Sequence, residues 1–121
     1  MSPVNYVILR HEGVADPHFD LMFETRPGSE LATWRSDRWP IETPTPLKRL
    51  KDHRRIYLDY EGELSGHRGR VHRVNHGQCH VDIGQDAVWS IDLVSGMPAG
   101  TRLVLRQLNG ERWECSASMS A

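Results

Sequence analysis

The chain has little that would place it in a membrane or cross-link it. No apolar run approaches the ~20 residues needed to cross a bilayer. The opening Met1-Ser-Pro-Val-Asn-Tyr lacks the basic and then apolar pattern of a secretory signal. A soluble, cytoplasmic protein with no membrane partner is therefore expected. Cysteine is scarce: Cys79 and Cys115 are the two present. They are too few for a disulfide framework and lack zinc-ribbon spacing, so buried thiols are expected. Helical signal is also missing, since no stretch sustains an apolar stripe for three turns. There is no glycine-rich phosphate loop and no nucleophile elbow. Ser36, Ser65 and Ser90 lack the local context of a nucleophile. Lysine is nearly absent, with 2 against 13 arginines. That skew suits bidentate phosphate contacts, and it is also what a GC-rich coding sequence produces.

With 121 residues there is room for one domain, spanning 1–121, and a hydrophobic share of 38% allows a packed core. The net charge of −1 conceals a pattern. Residues 1–47 sum to −3, residues 48–73 to +4 and residues 74–121 to −2. A basic middle third can attract phosphate locally without making the chain a non-specific coat for DNA.

The periodicity is that of short strands. Val4–Arg10 is rich in β-branched and aromatic residues. His18–Glu24 alternates, with His18, Asp20, Met22 and Glu24 on one face and Phe19, Leu21 and Phe23 on the other. Further strands are expected at Arg55–Tyr60, Arg70–Val74, His80–Ile83, Ala87–Leu93, Arg102–Leu108 and Arg112–Ser116, with a weaker one at Leu31–Arg35. Turns are expected at Arg26-Pro-Gly-Ser, Leu64–Gly69, Asn75-His-Gly, Pro98-Ala-Gly and Asn109-Gly110, the last a strong hairpin signal. Pro40, Pro44 and Pro46 predict an extended connector over 39–47, Lys48–Arg54 holds one helical turn at most, and the tail from Ser116 is expected to fray. About eight short strands with minor helical turns imply an all-β fold, a small antiparallel barrel or sandwich.

Three clusters could carry chemistry. Arg10-His11 precedes His18-Phe19-Asp20 by a short connection. Residues two apart on a strand share a face, so His18 and Asp20 project together. With His11 from the preceding strand, two imidazoles and a carboxylate make three ligands for a divalent ion and leave positions open for water and substrate. The same His-x-Asp pattern is also what two solvent-facing polar residues look like. Asp52-His53-Arg54-Arg55 followed by Tyr57 could bind phosphate through His53, Tyr57 and the arginines; it also reads as a charged turn entering a strand. His67, His72, His76 and His80 lie in a strand-like region broken by glycine, and read as surface histidines.

Together these residues resemble the 3′-phosphoesterase domain of bacterial DNA ligase D, a domain that also occurs as a stand-alone protein. The family has Arg-His closing a strand and then His-Tyr/Phe-Asp-Leu-Arg-Leu-Glu. Here stand Arg10-His11 and His18-Phe19-Asp20-Leu21-Met22-Phe23-Glu24. Trp34, Arg38 and Pro40 are similar to the tryptophan, basic residue and proline that follow. The family's Glu-Asp-His-Pro-Leu-Asp-Tyr and Phe-Glu-Gly are matched by Lys51–Tyr57 and by Tyr60-Glu61-Gly62, and its closing hairpin by Leu93, Gly96, Leu103, Arg106 and Trp113.

The resemblance spans roughly residues 5–115. It implies a compact β-barrel that removes a 3′-terminal phosphate or ribonucleoside from DNA ends with a divalent metal, Mn²⁺ or Zn²⁺. It makes His11, His18 and Asp20 the metal ligands, gives the scissile phosphate to His53 and Tyr57, and puts Arg38 where the family has an active-site lysine. Met22 stands in place of a family arginine that binds phosphate, and Arg10, Arg54 or Arg55 is the expected substitute. On this reading, activity is low and Met22→Arg raises it. Lys51 replaces an acidic residue, the loop between the two histidines is one residue longer, and the family's N-terminal arm has no counterpart in the ten residues before His11. The expected function is metal-dependent phosphoester hydrolysis at nucleic-acid 3′ ends in DNA repair. A repair ligase or polymerase is the expected partner and the chain itself a monomer. The alternative is a metal-containing module that binds nucleic-acid ends or a protein without catalysis.

Overall fold

A computed structural model describes residues 2–96 and 99–119. Nine strands follow one another: β1 (Val4–Glu12), β2 (His18–Glu24), β3 (Leu31–Ser36), β4 (Thr45–His53), β5 (Gly62–Glu63), β6 (Arg70–Ile83), β7 (Val88–Leu93), β8 (Thr101–Asn109) and β9 (Arg112–Met119). All pairings are antiparallel. The order β1-β2-β3-β4-β9-β8-β7-β6 closes because β6 pairs back onto β1, and β5 lies outside on β6. The expected all-β barrel is therefore present. Among the described residues its helical content is two 3-10 helices, Arg55–Leu58 and Gln85–Ala87. No helix among the described residues is long and apolar enough to cross a membrane.

One set of alternate residues fills the barrel, with Tyr6, Ile8, Leu21, Phe23, Trp34, Ile91, Leu103 and Leu105 almost wholly buried. Cys79 and Cys115 belong to this core as free thiols, and burial pushes both up to about 12. A second apolar cluster lies on the outer wall: Val7, Leu9, Met22, Leu31 and Val71, covered by Tyr57, Leu58, Tyr60 and Leu64. Strand β1 is thus buried on both faces, which is why Val7-Ile8-Leu9 reads as a continuous apolar run and not an alternation.

Glu24 ties the covering segment to the wall. Its carboxylate, 1% exposed, accepts from the Asn5 and Gly28 N–H groups at 2.6 and 3.1 Å and from the Arg55 guanidinium. Burial alone would raise its pKa. The Arg55 hydrogen bond and the two N–H donors outweigh that and hold it below the usual carboxylate range.

Four expectations are corrected. Arg55–Leu58 is a 3-10 helix rather than a strand, because Tyr57, Leu58 and Tyr60 all pack on the outer cluster while Ile56 faces solvent. Thr45–His53 is a strand rather than part connector and part helical turn. Its alternation is disguised by Arg49, whose guanidinium lies over the indoles of Trp34, Trp89 and Trp113 at 4.4, 5.1 and 5.8 Å. Asn75-His76-Gly77 is no turn, since β6 runs straight through it. Gly77 is there for close approach, as a Cβ would meet Ser95 Oγ at 2.6 Å. The tail does not fray at Ser116, for β9 continues to Met119 against β8. The Asn109-Gly110 hairpin stands as expected. Of the expected Pro98-Ala99-Gly100 turn, Pro98 lies outside the described residues.

Candidate functional site

The β1–β2 hairpin sets His11 directly opposite His18, and Asp20 follows on the same face of β2. All three present donor atoms within 4.8 Å of one another, forming the one group among the described residues placed to hold a metal ion. His18 and Asp20 are buried, at 4% and 5% exposure.

Backbone carbonyls fix both imidazoles. His11 Nε2 lies 2.7 Å from the Arg68 carbonyl and His18 Nδ1 lies 2.8 Å from the Asp16 carbonyl. A carbonyl only accepts, so those two nitrogens carry the protons. The opposite nitrogens then turn bare lone pairs toward Asp20: His11 Nδ1 is 3.8 Å from Oδ2 and His18 Nε2 is 3.4 Å from Oδ1. His18 Nε2 and Asp20 Oδ1 are buried and have no hydrogen-bond partner. With both rings neutral, acceptor faces acceptor, an arrangement that calls for a proton, a cation or a donating water between them. This accounts for the raised pKa of His18. The Asp20 carboxylate is the main cause, and the Asp16 carbonyl adds to it, against burial and the Arg35 charge.

The Arg68 carbonyl reaches His11 because the turn before β6 presses on the end of β1. Gly69 there has φ +82°, and a Cβ would meet the Glu12 carbonyl oxygen at 2.1 Å. No larger residue fits.

A cavity of about 120 Å³ opens beside the group. His11, His18, Asp20, Arg35, His53, Tyr57 and Arg68 line it, with Leu9, Met22, Leu50, Leu64 and Val71 as apolar wall. Its volume is room enough for several waters or a phosphoryl group. His53 arrives by a bulge. On β4, Leu50 pairs with Thr33 and His53 with Leu31, so residues three apart share the outer face. His53 Nδ1 donates to the Lys51 carbonyl at 2.9 Å, which leaves Nε2 as its bare nitrogen, and its ring meets Tyr57 edge-on at 5.9 Å.

The structure therefore brings His11, His18, Asp20, His53 and Tyr57 together. Of the expected arginines, it does not bring Arg10, Arg38 or Arg55 with them. Arg10 lies on the opposite face of β1, over the Phe19 ring at 4.7 Å and paired with Glu12 at 3.3 Å. Arg38 is exposed after β3 and donates to Thr43 Oγ1 at 3.4 Å. Arg55 is engaged by Glu24 and the Ser29 carbonyl. Arg54 does not line this cavity, but it shares the adjoining groove with His53, Tyr57 and Arg68, its guanidinium 6.0 Å from the Tyr57 ring. Met22 does face the cavity, as its place on β2 implies, but as a fully buried part of the apolar wall.

Two lining arginines escaped the sequence reading. Arg35 pairs with Asp20 across β2 and β3, a register that the sequence does not show. Arg68 lies in the Leu64–Gly69 turn, where sequence spacing gives no sign that it lines the cavity. The other histidines do not join: His67 and His76 are exposed, and His72 and His80 are half-buried on β6.

The chain matches no known family model and no curated protein.

Proposed function

We propose that the chain is a metal-dependent phosphoesterase acting on nucleic-acid 3′ ends, with Mn²⁺ or Zn²⁺ held by His11, His18 and Asp20. The observation that carries this reading is the pair of bare imidazole nitrogens and the unsatisfied carboxylate oxygen, turned toward one another beside a cavity with room for a phosphoryl group. Hydrogen-bonded outer nitrogens are how ligating histidines are usually held. A divalent ion bound there supplies Lewis acidity toward a phosphoryl oxygen.

This chain's own groups do the rest. Tyr57 donates its hydroxyl hydrogen to a phosphoryl oxygen. His53, once protonated at Nε2, gives that proton to the leaving oxygen. The wall of Leu9, Met22, Leu50, Leu64 and Val71 limits water around the phosphoryl group. Arg54 and Arg68 at the mouth are placed to meet the next backbone phosphate of a nucleic-acid end. An activity of this kind serves a DNA-repair ligase or polymerase.

The second reading, a metal-containing binding module without catalysis, rests on Met22, which leaves β2 with no cation in the cavity. Turnover of a 3′-phosphorylated oligonucleotide with added Mn²⁺ separates the two. We expect phosphate release, with His53→Ala lowering kcat by about 10²–10⁴. Metal and oligonucleotide binding with no release would establish the module instead. Binding itself is expected to be weak and salt-sensitive, because only residues 48–73 carry a net positive charge and few counterions are displaced. Affinity unchanged between low and high salt would rule out the electrostatic part of this account.

A further inference from the structure

We propose that Arg35 is the phosphoryl-binding guanidinium of this site, reaching from β3 into the place that Met22 on β2 leaves without a cation. The inference rests on the phosphoesterase reading above and names a ligand that the reading lacks.

Strand geometry puts Arg35 there. On β3, Trp34 turns into the barrel, so Arg35 turns outward, onto the face that bears Asp20. Asp20 pairs with Arg35 and Met22 with Thr33, which makes Met22 and Arg35 diagonal neighbours on one face. Such neighbours are roughly 7–8 Å apart, within the length of an arginine side chain. One cavity could then be served by a guanidinium from either position.

Arg35 is also unspent. Its Nε is buried without a hydrogen-bond partner, and the residue has no ion pair among the described residues. Arg10, Arg49, Arg55, Arg70, Arg73, Arg102 and Arg106 each have a carboxylate within 4 Å. A guanidinium stays charged wherever it is placed, and Arg35, half-buried with its Nε out of reach of water, holds that charge without a paired acceptor. The only carboxylate lining the cavity, Asp20, is already faced by two imidazoles. A phosphoryl group in the cavity would give Arg35 the paired acceptor oxygens its fork is shaped for.

The rival role for Arg35 is merely to neutralise Asp20. In that case its removal would alter metal affinity and leave phosphate binding alone. Inorganic phosphate binding to the Mn²⁺-loaded protein, and Mn²⁺ binding by itself, are measured by calorimetry for the wild type, Arg35→Met and Arg35→Lys. Arg35→Met is expected to weaken phosphate binding about ten- to a hundredfold, the range for a charge-assisted bond. Arg35→Lys should recover part of that loss, since it keeps the charge without the fork. Mn²⁺ affinity should stay within about threefold. Phosphate affinity unchanged in Arg35→Met overturns the proposal and leaves the phosphoesterase reading standing. A wild type that binds Mn²⁺ but no phosphate removes both.

Discussion

Mn²⁺ at a hundredfold excess over its Kd is expected to stabilise the protein by about 2.7 kcal/mol, which is roughly 10 °C in Tm for a chain of this size. The effect should be large at pH 8 and small at pH 5.5. Its sign follows from His18. In the metal-free fold the His18 pKa is raised above 6.5, first by Asp20. A proton on Nε2 then joins the two facing acceptors. A raised folded pKa contributes stability that is fully present below the unfolded value near 6.5. That contribution is lost as pH climbs through the folded value. Metal acts in the opposite direction, because it needs the lone pair that the proton occupies. The Tm of the metal-free protein should therefore fall across the window just above pH 6.5, while the Mn²⁺ increment grows there. His18→Ala should remove both trends and lower metal affinity by more than about 100-fold, the upper end of what outer-shell changes alone cost. Thermal scans with and without Mn²⁺ across pH 5.5–8, with elemental analysis, check this. An undiminished Mn²⁺ shift in His18→Ala would eliminate the proposed ligand set.

What the sequence could reveal about this site was what a strand's period of two encodes. His18, Asp20 and Met22 lie on one face by count alone, and His11 precedes them by a connection short enough for a hairpin. The barrel was legible for the same reason, since alternating runs and turn residues marked most strands. The missing parts depend on partners distant in sequence. Arg35 is opposite Asp20 only once β2 and β3 are in register. His53 faces the cavity only because β4 bulges between residues 50 and 53. Arg55 looked like a phosphate ligand until its partner proved to be Glu24, 31 residues earlier. Strand β4 itself was obscured because a charged residue, Arg49, fills an inward position. Its guanidinium is accommodated by three indole faces that the sequence scatters over residues 34–113.

Those indoles lead to the second large effect: Trp34→Ala is expected to destabilise the protein by about 3–5 kcal/mol, lowering Tm by more than 10 °C. Trp34 has no exposed surface and stands at the centre of the aromatic core. Its ring meets Trp89 at 5.0 Å, Trp113 at 5.3 Å and Phe23 at 6.1 Å, each edge-on, and it carries the closest approach of Arg49 at 4.4 Å. Truncation removes the contacts and leaves a cavity that four strands of a closed barrel cannot easily collapse. It also takes one face from a partly buried guanidinium. Its Nε1 has no hydrogen-bond partner, so Trp34→Phe sacrifices no polar contact and should cost about 1–2 kcal/mol less than the alanine change. The loss should be felt across the wall as well. Arg35 is the next residue and Leu21, the β2 partner of Trp34, is the next after Asp20. A β3 that loses its inward anchor should hold its outward side chains less tightly. Phosphate affinity is therefore expected to fall in Trp34→Ala even at temperatures where the variant remains folded, and to be largely kept in Trp34→Phe. Chemical unfolding of the three proteins, with phosphate titration well below each midpoint, reads both effects. A Trp34→Ala variant as stable as the wild type would contradict the packing described here.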